Sequence, residues 1–378
     1  MPAGDDRTLL VIIFGGESAE HEVSCVSARH VAAAADPARY DVVPLGIARD
    51  GGWHLAEEDR RRIREGDEPV EALSPEGPEV DPLAFLRDFP RTSEGGRTVV
   101  FPLVHGPYGE DGTLQGLLEI AAVPYVGCGV LASALAMDKA KAKEVLASHG
   151  LPQTRHLVVS PRDDPAELAT RVQSELAAPW FVKPANLGSS VGVTKVTGPD
   201  ELAAALRLAR RFDEWVLVEE GVSGREIEVG VLGNLQLRTS VAGEVIPGAE
   251  FYDYEDKYLS DRARLVIPAE LEDDAHREVR RLAVAAAEAL RVEGMARVDF
   301  FYEPSGRGFL VNEVNTIPGF TPKSMYPMLW QHTGLGYGEL VDELVRLAFE
   351  RFERRSAARR AQREVPRGPM PRQEVVSR

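Results

Sequence analysis

Ala296-Arg297-Val298-Asp299-Phe300-Phe301-Tyr302, followed by Glu303-Pro304-Ser305-Gly306-Arg307-Gly308 and then Phe309-Leu310-Val311-Asn312-Glu313-Val314-Asn315, reads as two strands around one turn. Alternation on both sides of a Pro- and Gly-containing break predicts an antiparallel hairpin. Side chains alternate faces with a period of two, so Arg297 and Asp299 share one face of the first strand, and Glu313 and Asn315 share one face of the second. With the turn centred on Gly306, Asp299 stands opposite Glu313 and Arg297 opposite Asn315. Magnesium takes hard oxygen ligands, commonly one or two carboxylates plus substrate phosphates, and Asp299, Glu313 and Asn315 supply such oxygens. Taken alone, the pattern is better read as a hairpin with a solvated polar face.

Outward from the hairpin, strands alternate with helices, which predicts an α/β architecture. Leu9 to Phe14 reads as a buried first strand ending at Gly15-Gly16, and Ser18 to Ala35 as a helix with Ser18 as its N-cap, a Rossmann-like start. Val42 to Ile47 and Val99 to Val104 are further strands. Between them, residues 57–96 are polar, Pro-containing and charged, and read as a surface insertion. Helix Lys139 to Ser148 opens a second unit with strands near Thr154 to Ser160, Trp180 to Lys183 and Val216 to Glu219. A third unit starts near Glu226 and holds helix Glu272 to Leu290 and a last amphipathic helix, Leu340 to Arg354. From about Ser356 the chain is Arg-rich and poor in aliphatics, and reads as a disordered tail.

Composition narrows the function classes. The 378 residues, 44% hydrophobic, suffice for two or three cores. A formal net charge of -16 excludes the basic stripe that a nucleic-acid partner requires. Two cysteines, Cys25 and Cys128, make no disulfide framework and no Cys-x-x-Cys pair. The apolar run Leu9 to Phe14 is too short for a signal-peptide core or a membrane span, so a cytoplasmic location is expected.

Two loops carry further signals. Lys183-Pro184-Ala185-Asn186-Leu187-Gly188-Ser189-Ser190-Val191-Gly192-Val193 is a glycine-serine loop between strands, where backbone N–H groups can approach phosphate oxygens. It has neither a Walker ending nor a Gly-x-Gly-x-x-Gly fingerprint, and an ordinary hairpin turn would look similar. Phe251 to Asp261 is too charged for a core strand and too aromatic for a linker, a composition that fits a lid.

Six motifs in order tie these pieces together: Gly15 to Ser24, His105-Gly106-Pro107-Tyr108-Gly109-Glu110-Asp111-Gly112, Met137-Asp138-Lys139, Lys183 to Gly192, Tyr252 to Asp261, and Asn312-Glu313-Val314-Asn315-Thr316-Ile317-Pro318-Gly319-Phe320-Thr321. From about Leu10 to Glu350 the chain resembles the ATP-grasp superfamily and, within it, the D-alanine–D-alanine ligase family. The resemblance implies an ATP-grasp fold of three α/β domains with a Rossmann-like N-terminal domain. Residues 1–135 would form that substrate-binding domain, 136–225 the central domain, 226–355 the C-terminal catalytic domain and 356–378 a tail. It implies ATP and two magnesium ions, a role manganese can also fill, with D-alanine as substrate and a homodimer as the assembly.

Carried over to single residues, the resemblance puts Lys139, Lys183 and Ser190 at the ATP phosphates, Glu219 and Val222 at the adenine edge, Glu226 at the ribose, and Asp299, Glu313 and Asn315 on the metal. Glu20 would receive the ammonium of the first D-alanine within a set including Ser189 and Tyr258, with His105 near that substrate's carboxylate. Arg297 and the backbone N–H of Gly319 would stabilise the tetrahedral oxyanion. Ser324 and the backbone at Met325 would hold the second carboxylate, and Lys257 would reach the γ-phosphate from the lid. Read without the resemblance, Glu20 is a first-turn glutamate, His105 a satisfied turn histidine, Lys139 a solvated helix lysine, and Arg297 a counterion to the acidic face. One departure stands out: where many relatives carry lysine after the adenine-site glutamate, this chain has Glu219-Glu220-Gly221. A ligase using D-lactate or D-serine as second substrate, or a non-catalytic ATP-binding protein, are the alternatives.

Overall fold

The structure is a computed structural model that describes residues 7–67, 70–92, 97–188, 191–247 and 264–364. Three sheets organise it. In the first, β1 (Thr8–Gly15) lies between and parallel to β2 (Tyr40–Ile47) and β4 (Thr98–Pro102), while β3 (Trp53–Leu55) adds antiparallel to the outer edge of β2. The unbroken apolar run of β1 follows from burial on both faces. Leu10, Ile12 and Phe14 pack with Ala28 and Val31 of helix α1 (His21–Ala34), while Leu9, Val11 and Ile13 pack with Leu86, Leu114 and Leu118.

Helix α1 begins at His21, three residues after the expected cap. The Ser18 hydroxyl instead accepts the Glu20 N–H at 3.2 Å. The segment 57–96 is not a surface insertion. It contains α2 (Glu57–Glu65) and α3 (Pro82–Thr92), and it buries Leu73 and Leu86 to 4% and 2% exposure against opposite faces of the first sheet. The run Leu83-Ala84-Phe85-Leu86 within α3 carried the signal, but the charges around it outweighed it.

Next come α4 (Thr113–Ala121), α5 (Val130–Met137) and α6 (Lys139–Ser148). The second sheet is antiparallel in the order β5 (His156–Val159), β8 (Val216–Glu220), β6 (Trp180–Pro184), β7 (Thr194–Val196). Leu168 and Val172 of α7 (Pro165–Glu175), with Leu202 and Leu206 of α8 (Pro199–Ala209), cover one face.

The third sheet runs β11 (Arg264–Val266), β10 (Leu237–Ile246), β9 (Arg225–Gly233), β12 (Gly294–Glu303), β13 (Gly308–Asn315), all antiparallel. Helix α9 (Asp273–Ala289) buries Val279, Leu282, Ala283 and Ala286 against Val229, Val231 and Val298. Two helices close the described fold, α10 (Met325–His332) and α11 (Tyr337–Glu364). The last one overturns the expected stop near 354 and runs into the span read as tail. Arg351 donates to the carbonyls of Tyr125 (2.8 Å) and Gly127, and Arg355 bridges Glu119 and Glu293 at 3.0 and 2.7 Å. Past Ser356, Arg359 also pairs with Glu119, so guanidinium docking holds the helix where aliphatics are few.

Candidate active site

The register of the β12–β13 hairpin pairs Asp299 with Glu313 and Arg297 with Asn315, as the alternation requires. The route to that register differs from the expectation. Near the turn, Glu303 faces Gly308 and Phe300 faces Val311, one step out of phase with the site; a bulge between Asp299 and Phe300 inserts Asn312 and restores the phase. Without the extra residue, Asn312 would oppose Asp299 and Glu313 would turn to the other face. On the far side of β12, Asp299 pairs with Glu228 and Phe301 with Glu226 of β9, so those carboxylates share the face too.

Arg297 binds Asp299 with two bonds of 2.7 Å and lies 2.9 Å from Glu228. Burial alone would make its guanidinium easier to deprotonate, but the Asp299 and Glu228 carboxylates hold it well above its ordinary range. The Asn315 side-chain oxygen accepts the Ile317 N–H at 3.0 Å. Among the described residues no group of three or more His, Cys, Asp or Glu forms a ready-made metal cage. Two carboxylates and an amide oxygen on adjacent strands are instead the donor set of a hard ion that completes its shell with water and substrate oxygens. Such an ion would compete with Arg297 for Asp299.

Beside this face lies a cluster of lysines. Helix α6, capped by Asp138 accepting the Lys141 N–H at 3.0 Å, carries Lys139 and Lys143 one turn apart. Lys139 donates to the Leu187 carbonyl at 2.6 Å and stands 3.9 Å from Glu313. Burial pushes its ammonium below the usual range, while Glu313 pulls it back. Lys143, which sequence reading passed over, is 1% exposed and lies 2.6 Å from Glu219; Lys183 binds the other oxygen of that carboxylate. Burial works to raise the Glu219 carboxyl, but the Lys143 and Lys183 ammoniums overcome it and hold it far below the carboxylate range. The i, i+4 spacing of Lys139 and Lys143 was the available signal. Both carboxylate oxygens of Glu219 thus face lysines. Its neighbour Glu220 accepts the Arg155 N–H at 3.0 Å and pairs with Arg307 of the hairpin turn. Val222 lies half-buried in the turn between β8 and β9.

The first sheet contributes the third side. Glu20 is buried at the start of α1, and a Cβ added at Gly188 or Gly106 would sit 3.5 or 3.9 Å from its Oε2, so its carboxylate lies between the glycine-serine loop and the turn after β4. In that turn, His105 Nδ1 lies 3.0 Å from the Ile317 carbonyl, and Nε2 is buried with no hydrogen-bond partner among the described residues. Burial lowers the imidazole's basicity, and a neutral ring donating from Nδ1 presents Nε2 as an acceptor. That suits an ammonium better than the carboxylate expected from sequence. Glu110, also passed over, accepts the Gly106 N–H at 2.6 Å, and burial followed by the nearby Glu20 pushes its carboxyl up to about 8.

At the exit of β13, Ser324 Oγ accepts the Thr321 N–H at 3.1 Å, and a Cβ at Gly319 would lie 3.0 Å from it. Met325 packs its side chain with Val245 and Leu329, leaving its main chain at the start of α10. Ser189, Ser190, Lys257 and Tyr258 lie outside the described residues.

Three comparisons bear on this geometry. Residues 9–128 match the family described as D-ala D-ala ligase N-terminus, and residues 145–346 the one described as D-ala D-ala ligase C-terminus. The chain belongs to the D-alanine–D-alanine ligase family. It is 42% identical over 358 residues to the D-alanine--D-alanine ligase of Geobacillus thermodenitrificans, covering 92% of this chain and 97% of that one. The solved D-alanine-D-alanine ligase from Coxiella burnetii superposes with a TM-score of 0.79 at 33% identity, covering 95% of this chain and 98% of that chain. The VanG D-Ala:D-Ser ligase from Enterococcus faecalis superposes at 0.77 and 35%, covering 90% and 99%. Lys139 and Lys143, with the rest of the α6 start, fall in the interval between the two family matches. No described helix is long and apolar enough to cross a membrane.

Proposed function

We propose that this chain joins two D-alanine molecules into D-alanyl-D-alanine at the expense of ATP, in the cytoplasm, as a step of peptidoglycan precursor synthesis. The observation that carries the reading is the meeting of three surfaces: the acid-rich hairpin face, the lysines at Glu219 and Leu187, and Glu20 with the His105 turn. In this reading the chain has an ATP-grasp fold with domains 1–135, 136–225 and 226–355.

In this reading Glu20 and His105 Nε2 bind the first D-alanine's ammonium and aim its carboxylate at the γ-phosphate. A carboxylate oxygen attacks phosphorus, the bond to the ADP oxygen breaks, and an acyl phosphate results. Lys139 and Lys183 hold the phosphate charge, joined by Ser190 and, from the lid, Lys257. The main chain of Glu219 to Val222 holds the base, and Glu226 the ribose. Asp299, Glu313 and Asn315 would hold two magnesium ions, or manganese in their place, which when bound neutralise charge on the transferring group. Tyr258 and Ser189 complete the set around Glu20 and exclude water.

Ser324 and the backbone at Met325 orient the second D-alanine, whose amine attacks the acyl carbon. Arg297 and the Gly319 N–H stabilise the tetrahedral oxyanion; the bond to phosphate oxygen then breaks, phosphate leaves and the amine loses a proton. The likeness to a D-Ala:D-Ser ligase favours a second reading, with D-serine as the second substrate.

The test is incubation with ATP, magnesium and D-alanine, alone and with D-serine or D-lactate added. One phosphate per D-alanyl-D-alanine supports the first reading, and preferential mixed product the second. No phosphate release with any of these substrates would make the chain an ATP-binding protein without ligation. Light scattering tests the proposed homodimer.

A further inference from the structure

We propose that Lys143 is a positioning residue for nucleotide binding: by holding one oxygen of Glu219, it keeps that carboxylate compensated when Lys183 leaves the other oxygen for a phosphate. The inference rests on the nucleotide reading above. Lys143 is sealed in, its Nζ 2.6 Å from Glu219 Oε1 and 3.2 Å from Thr154 Oγ1, while the Thr154 hydroxyl donates to the same Oε1 at 3.0 Å. That oxygen is therefore fully engaged from within. Glu219 Oε2 faces Lys183, whose side chain retains 13% exposure against 2% for Lys143. The inner pair is fixed and the outer pair can open.

The electrostatic consequence follows from counting charges. Two ammoniums on one carboxylate leave one positive charge in excess, which draws a polyanion. With Lys143 neutral, the set is balanced, and Lys183 could reach a phosphate only by abandoning a buried carboxylate, a costly step. The groups facing the Lys143 ammonium are Glu219, Thr154, Lys183 and, more distantly, Glu313 and His156. Glu219 alone of the two carboxylates is bonded to it.

The experiment titrates ATP and adenosine separately onto the purified full chain with magnesium present, and reads the ratio of the two affinities. Adenosine lacks phosphates, so the ratio isolates their contribution. Lys143→Met is expected to lower the ratio about tenfold or more, by the size of a lost buried ionic partner. Adding Glu219→Gln to Lys143→Met is expected to restore it, because Lys183 then has no carboxylate to strand. A purely structural Lys143 would lower the melting temperature and leave the ratio unchanged. An unchanged ratio in Lys143→Met, or one the double variant does not restore, overturns the inference. Should Lys143→Met not yield folded protein, Lys143→Gln reads the same ratio, since it is neutral yet able to hydrogen-bond Thr154 and Glu219. A parent chain that binds neither ligand refutes the nucleotide reading itself, which is a different result.

Discussion

The hairpin face and the lysine cluster use the same kinds of group in inverse proportion. On the hairpin and its neighbour strand, Asp299 and Glu228 bind the Arg297 guanidinium while Glu226 and Glu313 share the same face; beside it, Lys143 and Lys183 share the one carboxylate of Glu219. An excess of carboxylate suits a divalent cation, and an excess of ammonium suits phosphate. Lys139, 3.9 Å from Glu313, stands where the two meet. The difference teaches that each half stores its charge against a counterion it already holds, so that neither is an unpaired buried charge before substrates arrive.

Removing the shared counterion should have the largest effect. Glu219→Gln leaves the buried Lys143 and Lys183 facing each other, and should cost about 3 to 5 kcal/mol of stability, read by denaturant unfolding. The folded Glu219 carboxyl lies below its ordinary 4.5, so this stabilisation is whole above that pH and fades as pH falls below it. A cost under about 1 kcal/mol, the range of exposed pairs, would mean that the cluster is solvated and the comparison wrong.

Lys183→Ala should spare the fold, because Lys143 still compensates Glu219, yet lower turnover by about 10² to 10³, roughly 3 to 4 kcal/mol. Phosphate release at saturating ATP and D-alanine, with circular dichroism as the control for folding, decides it. Near-parental turnover would remove Lys183 from the phosphate site.

Glu110 gives the pH test. Its carboxyl rises from 4.5 to about 8 in the fold, so its contribution to stability is whole below pH 4.5 and is lost as pH rises toward 8. Glu110→Gln mimics the protonated form and still accepts the Gly106 N–H, so between those pH values its stability should fall less than the parent's. Parallel melting-temperature profiles for the two proteins would refute this.

The smallest effect is expected on the acid-rich side. Glu228→Gln leaves Arg297 with both of its Asp299 bonds, and should cost only about 1 kcal/mol by chemical denaturation. A loss as large as that of Glu219→Gln would show that the two halves are not inverse in their reserves.

Much of the site was legible because it sits on contiguous, patterned sequence. The pairing of Asp299 with Glu313 and of Arg297 with Asn315 was read from alternation, and helix Lys139 to Ser148 was read to the residue. Glu110 and Lys143 were missed for a physical reason: a buried acid and a buried lysine look in sequence like their solvated counterparts, and only their surroundings mark them. The 57–96 segment and the Arg-rich end of α11 were misread for a related reason, since their partners lie far away in the chain.

By itself, the sequence determined the alternation that makes the hairpin, the apolar run that makes β1, and the ordered motifs that place the chain in its family, because each depends on neighbours a few residues apart. Only the tertiary structure decided that a bulge at Asn312, not the turn, sets the register of the site, and that Glu219 serves two lysines. It alone brought Glu20 to the glycine-serine loop. These are properties of side chains brought together from distant segments, where burial and an opposing charge, not local spacing, fix what a residue can do.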